Sequence, residues 1–210
     1  MADSGGSAGF GDLADAGGFG ESGGMRDPGD VPADPESVAR IICLRMLTAA
    51  PRTRAQLADA LSRRGVPSDA ADAVLSRFAD VGLIDDATFA SAWVESRHYG
   101  RGLGRRVLVA ELDRRGVARE DIEAAVDQLS PETERATAFA LVERKVAGTA
   151  GQPYPVRVRK LAGMLARKGY SAGIAFSVVR EAIARSEPGG SGATSDADDY
   201  LAIEFAAEED

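Results

Sequence analysis

The stretch that decides the fold is Leu57-Ala-Asp-Ala-Leu61-Ser-Arg-Arg-Gly65-Val66, because the sequence contains two further copies of it. The other copies are Leu108-Val-Ala-Glu-Leu112-Asp-Arg-Arg-Gly116-Val117 and Leu161-Ala-Gly-Met-Leu165-Ala-Arg-Lys-Gly169-Tyr170. The three glycines are 51 and 53 residues apart, and apolar residues align again nine and ten positions after each of them. Such a regular spacing is typical of tandem structural repeats.

Each copy predicts a helix, a stop at the glycine and a second helix. The two leucines are one helical turn apart and therefore lie on one face. The two basic residues complement the helix dipole in the last turn, and the glycine suits the left-handed position that ends a helix. Caps are predicted at Thr53 and Ser68, and Asp86 is predicted to cap a helix over 87–98.

The fold class predicted from these patterns is all-α, with three tandem three-helix repeats in an elongated array. The repeats are expected at 34–84, 85–130 and 131–186. Residues 1–33 and 187–210 are rich in glycine or acidic side chains, and we expect both tails to be disordered. Met25 is an alternative start of translation.

Charge is divided unevenly along the chain, whose formal net charge is −8. The segment 1–33 holds six acidic residues and one arginine, and the segment 187–210 holds eight acidic residues and no basic one. Residues 34–186 therefore carry a net charge of +5. This basic central part is compatible with a nucleic-acid or acidic protein partner. Arginine is favoured over lysine, which is typical of a high-GC genome.

The sequence offers little material for catalysis or metal binding. Cys43 and His98 are the only cysteine and histidine, so neither a disulfide nor a zinc site is expected. His98 has no evident orienting partner and is expected to be exposed, and Asp85-Asp86 reads as a cap and turn. We expect no enzymatic activity and no cofactor. The chain has no signal peptide and no apolar run long enough for a membrane span, so a cytoplasmic location is expected.

The candidate binding residues are basic. The pairs Arg63-Arg64, Arg114-Arg115 and Arg167-Lys168 recur at nearly equal spacing, and repetition would place them along one surface. The alternative is that each pair only satisfies carbonyls at its helix end. Further candidates are Arg97 and the arginines in and after the glycine-rich segment 100–104, namely Arg101, Arg105 and Arg106. That segment is interpreted as a flexible hinge, and Phe89, Trp93 and Tyr170 as core residues.

The run Gly82-Leu-Ile-Asp-Asp86-x-x-Phe89-Ala-x-x-Trp93-Val-x-x-Arg97 resembles the central signature of the RecX family of recombination regulators. The similarity continues from Gly104 to Val117, and Lys160 to Ser171 resembles the C-terminal motif of that family. The resemblance implies a non-enzymatic protein that binds the RecA recombinase filament on DNA. It also implies inhibition of ATP hydrolysis, strand exchange and co-protease activity. Single- or double-stranded DNA is a second candidate partner, and we expect a monomer.

Two alternatives remain open. Residues 54–84 also resemble the helix-turn-helix of a winged-helix transcription regulator, although the segment after them lacks the pattern of a β-hairpin wing. The acidic tail, with Asp196, Asp198 and Asp199 among interspersed apolar residues, is predicted to compete for the basic face. Its alternative role is that of a solvating segment.

Overall fold

The computed structural model describes residues 34–187, whose regular structure is helical. Nine α-helices and one short 3-10 turn, Ala147–Thr149, span this range. The helices are α1 Pro35–Ala49, α2 Arg54–Ser62, α3 Ser68–Asp80, α4 Asp86–Arg101, α5 Arg105–Asp113, α6 Arg119–Asp127, α7 Pro131–Val146, α8 Tyr154–Arg167 and α9 Ala172–Ser186. The two predicted tails lie outside the described residues, except for Glu187.

The helices form three groups of three, each around its own hydrophobic core. We call α1–α3 repeat 1, α4–α6 repeat 2 and α7–α9 repeat 3. Each fully buried leucine contributes about 1.5–3 kcal/mol, so the repeated leucines are a main reason why each group packs. The prediction of an all-α chain of tandem three-helix repeats is confirmed. The six repeated leucines are at most 2% exposed: Leu57, Leu61, Leu108, Leu112, Leu161 and Leu165.

The glycine that ends the middle helix of each repeat adopts the predicted left-handed conformation. The φ angles are +73° at Gly65, +71° at Gly116 and +90° at Gly169. In every case the N–H of the following residue donates to the carbonyl of the second repeated leucine, over 3.2 to 3.3 Å. This bond satisfies a carbonyl that the end of the helix would leave unpaired. The predicted glycine stops are therefore confirmed.

Side chains cap the starts of α1, α2, α4, α7 and α9, and two of the predicted caps differ from the structure. Thr53 caps α2 as predicted. The predicted caps of α3 and α4 are each wrong by one residue, because Ser68 and Asp86 are already helical. Pro67 and Asp85 instead hold the non-helical position before the first turn. The side chain of Asp86 is consequently available to another helix.

His98 is completely buried, so the prediction of an exposed histidine is wrong. Its Nδ1 lies 2.8 Å from the carbonyl oxygen of Leu103, and its Nε2 lies 2.8 Å from Oγ1 of Thr137. Because both ring nitrogens have partners, the ring can be buried without an unsatisfied polar atom. Thr137 is on α7, so this histidine connects repeat 2 to repeat 3.

The segment after α3 does not form the β-hairpin wing that a winged-helix regulator would have there. The chain turns at Gly82, whose φ is +71°, and α4 starts at Asp86. Helix α4 also continues to Arg101, three residues beyond the predicted end. None of the helices between residues 34 and 187 combines the length and apolar character needed to cross a membrane.

Candidate partner-binding surface

Repeats 1 and 2 meet at the start of α2. The first backbone N–H of this helix, at Arg54, donates to the Asp86 carboxylate at 2.9 Å. The capping residue Thr53 donates its hydroxyl to the carbonyl of Arg115 at 2.7 Å. The first helix and the glycine turn of repeat 2 thus both contact the start of the middle helix of repeat 1. Burial raises the pKa of Asp86 above its ordinary value, although the hydrogen bond from Arg54 opposes this rise.

Repeats 2 and 3 meet at the start of α5 through contacts of the same kind. The first N–H of α5, at Arg105, donates to the carboxylate of Glu134 on α7 at 3.0 Å. The capping residue Gly104 donates its N–H to the carbonyl of Lys168 at 2.8 Å. In both joints a carboxylate and a carbonyl from the following repeat satisfy donors at a helix start, where unpaired N–H groups occur.

Glycine is required at these joints because the backbones approach closely. A Cβ at Gly116 would lie 2.4 Å from Cβ of Ala55, and a Cβ at Gly169 would lie 2.6 Å from the backbone nitrogen of Val107. A Cβ at Gly104 would lie 2.7 Å from the carbonyl of Gly169. The glycine-rich segment interpreted as a hinge therefore packs tightly against repeat 3 at Gly104, while Gly100 and Arg101 still belong to α4. At Gly65, by contrast, a Cβ would meet none of the described atoms within 4 Å.

The basic pair of repeat 1 lies beside this open turn. Arg63 is 68% exposed and forms an ion pair with Asp59 at 2.6 Å, one helical turn earlier. Arg64 is exposed and donates to the carbonyl of Ala60 at 2.9 Å. An exposed ion pair of this kind contributes little stability, so Arg63 can exchange its partner at small cost.

The basic pairs of repeats 2 and 3 lie at the joints. Arg114 and Arg167 are exposed, whereas Arg115 and Lys168 are half-buried. Arg114 and Arg115 donate to carbonyls of their own helix at 2.9 Å, as the helix-end interpretation expects. Lys168 instead donates to the carbonyl of Arg101 in the preceding repeat, at 2.7 Å. The three pairs thus share a position in the repeat but differ in their surroundings.

Trp93 anchors two of the predicted arginines. The guanidinium carbon of Arg97 lies 4.1 Å from the ring centroid, and that of Arg115 lies 3.6 Å from it. The indole N–H donates to Glu111 at 2.8 Å, and Phe89 stacks on the ring with centroids 5.7 Å apart. Burial lowers the pKa of Arg115, while Glu111 opposes this shift. Trp93 and Phe89 pack against the core of repeat 2 and also line a cleft of about 620 Å³.

Arg105 is bound to repeat 3 as well as to its own repeat. Its side chain contacts the Asp127 carboxylate at 3.1 Å, the carbonyl of Leu129, and the Glu134 carboxylate at 3.6 Å. Only 33% of the side chain is exposed. Arg106 is exposed, and its backbone N–H donates to the carbonyl of Gly169 at 3.2 Å. Arg105 therefore stabilises the joint in addition to any role in binding.

A second cleft, of about 820 Å³, lies between α4, α7 and the end of α8. We call it the basic cleft, because four cations and none of the described carboxylates line it. The cations are Arg101, Arg144, Lys145 and Lys168. Arg144 and Lys145 are not among the binding residues predicted from the sequence, although they form an adjacent basic pair in the last turn of α7. That pair falls outside the repeated stretch, which is why repetition did not reveal it.

Residues suited to metal binding are dispersed in the part of the chain that the structure describes. Between residues 34 and 187, no three His, Cys, Asp or Glu side chains lie close enough together to hold a metal ion. Cys43 is buried, and burial raises the pKa of its thiol, so the less reactive protonated form is favoured. The features that stand out in this range are the joints and the positive charge beside them.

Family models match each repeat in turn. The model for the first three-helix domain of RecX matches residues 39–78, the second matches 85–126, and the third matches 132–179. Three proteins named regulatory protein RecX are similar over most of their lengths. The relative from Thermobifida fusca is 61% identical over 150 residues, which cover 71% of this chain and 81% of that protein.

The relative from Streptomyces lividans is 57% identical over 157 residues, covering 75% of this chain and 84% of that protein. The relative from Mycolicibacterium smegmatis is 44% identical over 166 residues, covering 73% and 88%. All three names describe regulatory proteins and not enzymes.

Solved structures share the fold. The crystal structure of RecX from Lactobacillus salivarius superposes with a TM-score of 0.68 at 22% identity, covering 72% of this chain and 98% of that one. A second crystal structure of a regulatory protein RecX gives a TM-score of 0.64 at 23% identity, covering 71% and 73%. With the three domain models matched in order and curated relatives up to 61% identical, this chain belongs to the RecX family of regulatory proteins.

Proposed function

We propose that this protein regulates the RecA recombinase by binding the RecA-DNA filament and inhibiting its activity. The affected activities are ATP hydrolysis, strand exchange and co-protease function, so the protein would limit recombination and the SOS response. The resemblance to recombination regulators and the family membership support RecA as the partner. DNA, single- or double-stranded, is a second partner that the basic surface could contact.

The repetition of the joint is the observation that carries this proposal. Each joint places the glycine turn of one repeat, with its basic pair, on the start of the middle helix before it. The same contact therefore arranges three similar units in series. A series of similar basic units suits a partner that itself repeats, such as a protein filament on DNA.

Surroundings divide the candidate binding residues into two groups. Arg97, Arg105 and Arg115 are half-buried and are held by Trp93, by carboxylates or by carbonyls. Replacing Arg105 would also disturb the joint with repeat 3, and replacing Arg97 or Arg115 would disturb the packing around Trp93. Lys168 is partly engaged in the same way, through the carbonyl of Arg101. We propose that the exposed residues make most contacts with the filament: Arg63, Arg64, Arg101, Arg106, Arg114 and Arg167.

The decisive experiment is a titration of RecA ATPase activity on single-stranded DNA with the purified full chain. We expect inhibition at substoichiometric amounts. Arg101→Glu should raise the concentration needed for half-inhibition about fivefold, because it removes a charge-assisted contact worth about 1 kcal/mol. The matched control is Arg119→Glu, which reverses a 91% exposed arginine on α6 that is outside the proposed surface.

Full inhibition by Arg101→Glu would exclude this residue from the surface, and no inhibition by the unaltered chain would exclude the function. The alternative transcription regulator would leave RecA ATPase unchanged and would bind one duplex sequence preferentially without RecA. Helix α4 stands where that alternative needs a wing, which favours the RecA partner.

We further propose that the protein acts as a cytoplasmic monomer without catalytic activity or cofactor of its own. Sedimentation equilibrium of the full chain should give the monomer mass, and inhibition of RecA should survive prior dialysis against a chelator. A dimer mass, or loss of inhibition after chelation, would contradict this part of the proposal.

A further inference from the structure

The basic cleft combines positive charge with an apolar floor. Its four cations are accompanied by Leu141 and Met164, which are half-buried, and by Tyr99, which is 67% exposed. Nucleic-acid backbones offer phosphates but few apolar groups, so charge alone would suffice for them. A cleft with both features fits a peptide that alternates acidic and apolar side chains.

The chain itself contains such a peptide. Residues 196–205 read Asp-Ala-Asp-Asp-Tyr-Leu-Ala-Ile-Glu-Phe, with four carboxylates and four large apolar side chains. Three more acidic residues, 208–210, end the chain. The negative charge of this segment is opposite to that of the basic cleft. Its apolar side chains can pack against the apolar residues at the bottom of the cleft.

The attachment point of this segment lies within reach. The Glu187 carboxylate pairs with Arg157 near the start of α8, while Lys168 follows the end of that helix in the cleft. Eleven residues of helix separate Arg157 from Lys168, a rise of about 17 Å. Eleven residues of chain also separate Glu187 from Asp198, and they can span up to about 36 Å when extended.

We propose that residues 196–205 bind in the basic cleft of the same molecule. The carboxylates pair with Arg101, Arg144, Lys145 and Lys168, and the apolar side chains pack on Leu141 and Met164. Tethering gives the segment an effective concentration of the order of mM, so weak individual contacts are sufficient. One consequence rests on the proposed function: the bound segment covers Arg101 and Lys168 and so competes with the RecA-DNA filament.

Zero-length cross-linking of the full chain tests the docking directly. The chain has three lysines, so a carbodiimide that joins lysines to carboxylates gives few products. Lys145 and Lys168 line the cleft, whereas Lys160 is exposed on α8 outside its lining and serves as the internal control. We expect peptides from 196–205 linked to Lys145 or Lys168 several-fold more often than to Lys160.

Two variants separate the contributions to the contact. Tyr200→Ser with Phe205→Ser removes apolar groups of the tail without changing its charge, and should reduce the cleft cross-links several-fold. Arg144→Glu should do the same by reversing a charge in the cleft, whereas the control Arg119→Glu should leave the cross-links unchanged. Because the pairing is electrostatic at a partly exposed site, added salt should also reduce it.

The docking of the tail and the proposed function can fail separately, because the cross-linking experiment contains no RecA. Equal linkage to all three lysines, or no linkage, would overturn the docking. Linkage mainly between ¹⁵N-labelled and unlabelled chains in a mixture would overturn its intramolecular nature. If the cleft instead binds nucleic acid, Arg144→Glu should weaken binding to single-stranded DNA while the tail gives no cleft-specific links, and this result would also reject the proposal.

Discussion

At the scale of the residue, the three repeated glycines share a backbone conformation but differ in what surrounds them. All three have positive φ, which L side chains adopt at a cost of about 1–2 kcal/mol. Gly116 and Gly169 also face the preceding repeat at distances that exclude a Cβ, while Gly65 faces open space. The same sequence position therefore serves as a helix stop in one repeat and as both stop and contact in the other two.

Alanine substitutions measure this difference. Gly65→Ala should lower the free energy of unfolding by about 1 kcal/mol, the strain of the left-handed conformation alone. Gly116→Ala should lower it by about 1–3 kcal/mol more, because its Cβ would overlap Cβ of Ala55. Urea denaturation followed by circular dichroism gives both values, and equal losses would contradict the close packing at this joint.

Tyr170 makes stability depend on alkaline pH. Its buried hydroxyl donates to the carbonyl of Gly102 at 3.2 Å. Burial raises the pKa of the phenol above its ordinary value of 10.0, and Glu134 raises it further. The unfolded chain therefore loses this proton at a lower pH than the folded chain does, so the free energy of unfolding should fall as pH rises above about 10.

Urea unfolding at about pH 8 and about pH 10.5 checks this sign. Tyr170→Phe should reduce the fall in unfolding free energy between the two pH values. At pH 8 the substitution should itself lower the unfolding free energy by about 1 kcal/mol, because it removes the hydrogen bond. Tyr99→Phe is the control, because Tyr99 is 67% exposed and should leave the fall between the two pH values unchanged. If the Tyr170→Phe variant lost as much unfolding free energy at alkaline pH as the unaltered chain, the pH dependence would come from other titratable groups.

At the scale of the element, the start of a middle helix supplies backbone N–H donors to each joint. The first N–H groups of a helix have no partner within the helix, and here Asp86 and Glu134 of the following repeat accept from them. The helix dipole favours a carboxylate at this position. The joints are therefore polar and directional, and this complements the apolar packing inside each repeat.

Glu134→Ala tests the second joint. It removes the acceptor of the Arg105 N–H and a partner of the Arg105 guanidinium, which remains partly buried. We expect a loss of about 1–3 kcal/mol in unfolding free energy, below that of a fully buried pair because Arg105 is partly solvated. Hydrogen exchange of the Arg105 amide should also become faster.

The control is Glu132→Ala, in the first turn of the same helix and exposed. It should cost only about 0.5 kcal/mol through the helix dipole and leave the Arg105 amide unaffected. Similar exchange rates in the two variants would show that Glu134 does not hold the joint.

At the scale of the whole molecule, three separate cores are linked by two joints that include hydrogen bonds to helix starts. Stability in such arrays is approximately the sum of repeat and interface terms, so one repeat can unfold before its neighbours. Trp93 is the only tryptophan and lies in repeat 2. Its fluorescence therefore follows repeat 2, while circular dichroism follows all helices.

Leu165→Ala in repeat 3 should cost about 2–5 kcal/mol and leave a cavity in a core that is separate from that of repeat 2. We expect circular dichroism to show helix loss at a lower urea concentration than the change in Trp93 fluorescence. In Leu112→Ala, which affects the core around Trp93, the order should reverse, with the change in Trp93 fluorescence preceding most of the helix loss. Coincident transitions in the Leu165→Ala variant would indicate a single cooperative unit.

The sequence alone determined the features that depend on neighbouring residues. Leucine spacing, glycine stops and the cap at Thr53 are local, so the all-α repeat fold and the buried Tyr170 could be predicted from them. The errors at Ser68 and Asp86 are of one residue: Asp85 and Asp86 are adjacent carboxylates that compete for the same capping position, whereas α3 starts after Pro67 without a side-chain cap.

Only the tertiary structure decided which basic residues are half-buried between repeats or beside Trp93 and which are exposed. Arg115 contacts Thr53 across 62 positions, Lys168 contacts Arg101 across 67, and Glu134 contacts Arg105 across 29. His98 is buried because Thr137, 39 positions later, satisfies its second ring nitrogen. No local pattern encodes such pairs. They exist because helix ends and buried side chains need hydrogen-bond partners, and chain folding brings the next repeat to supply them.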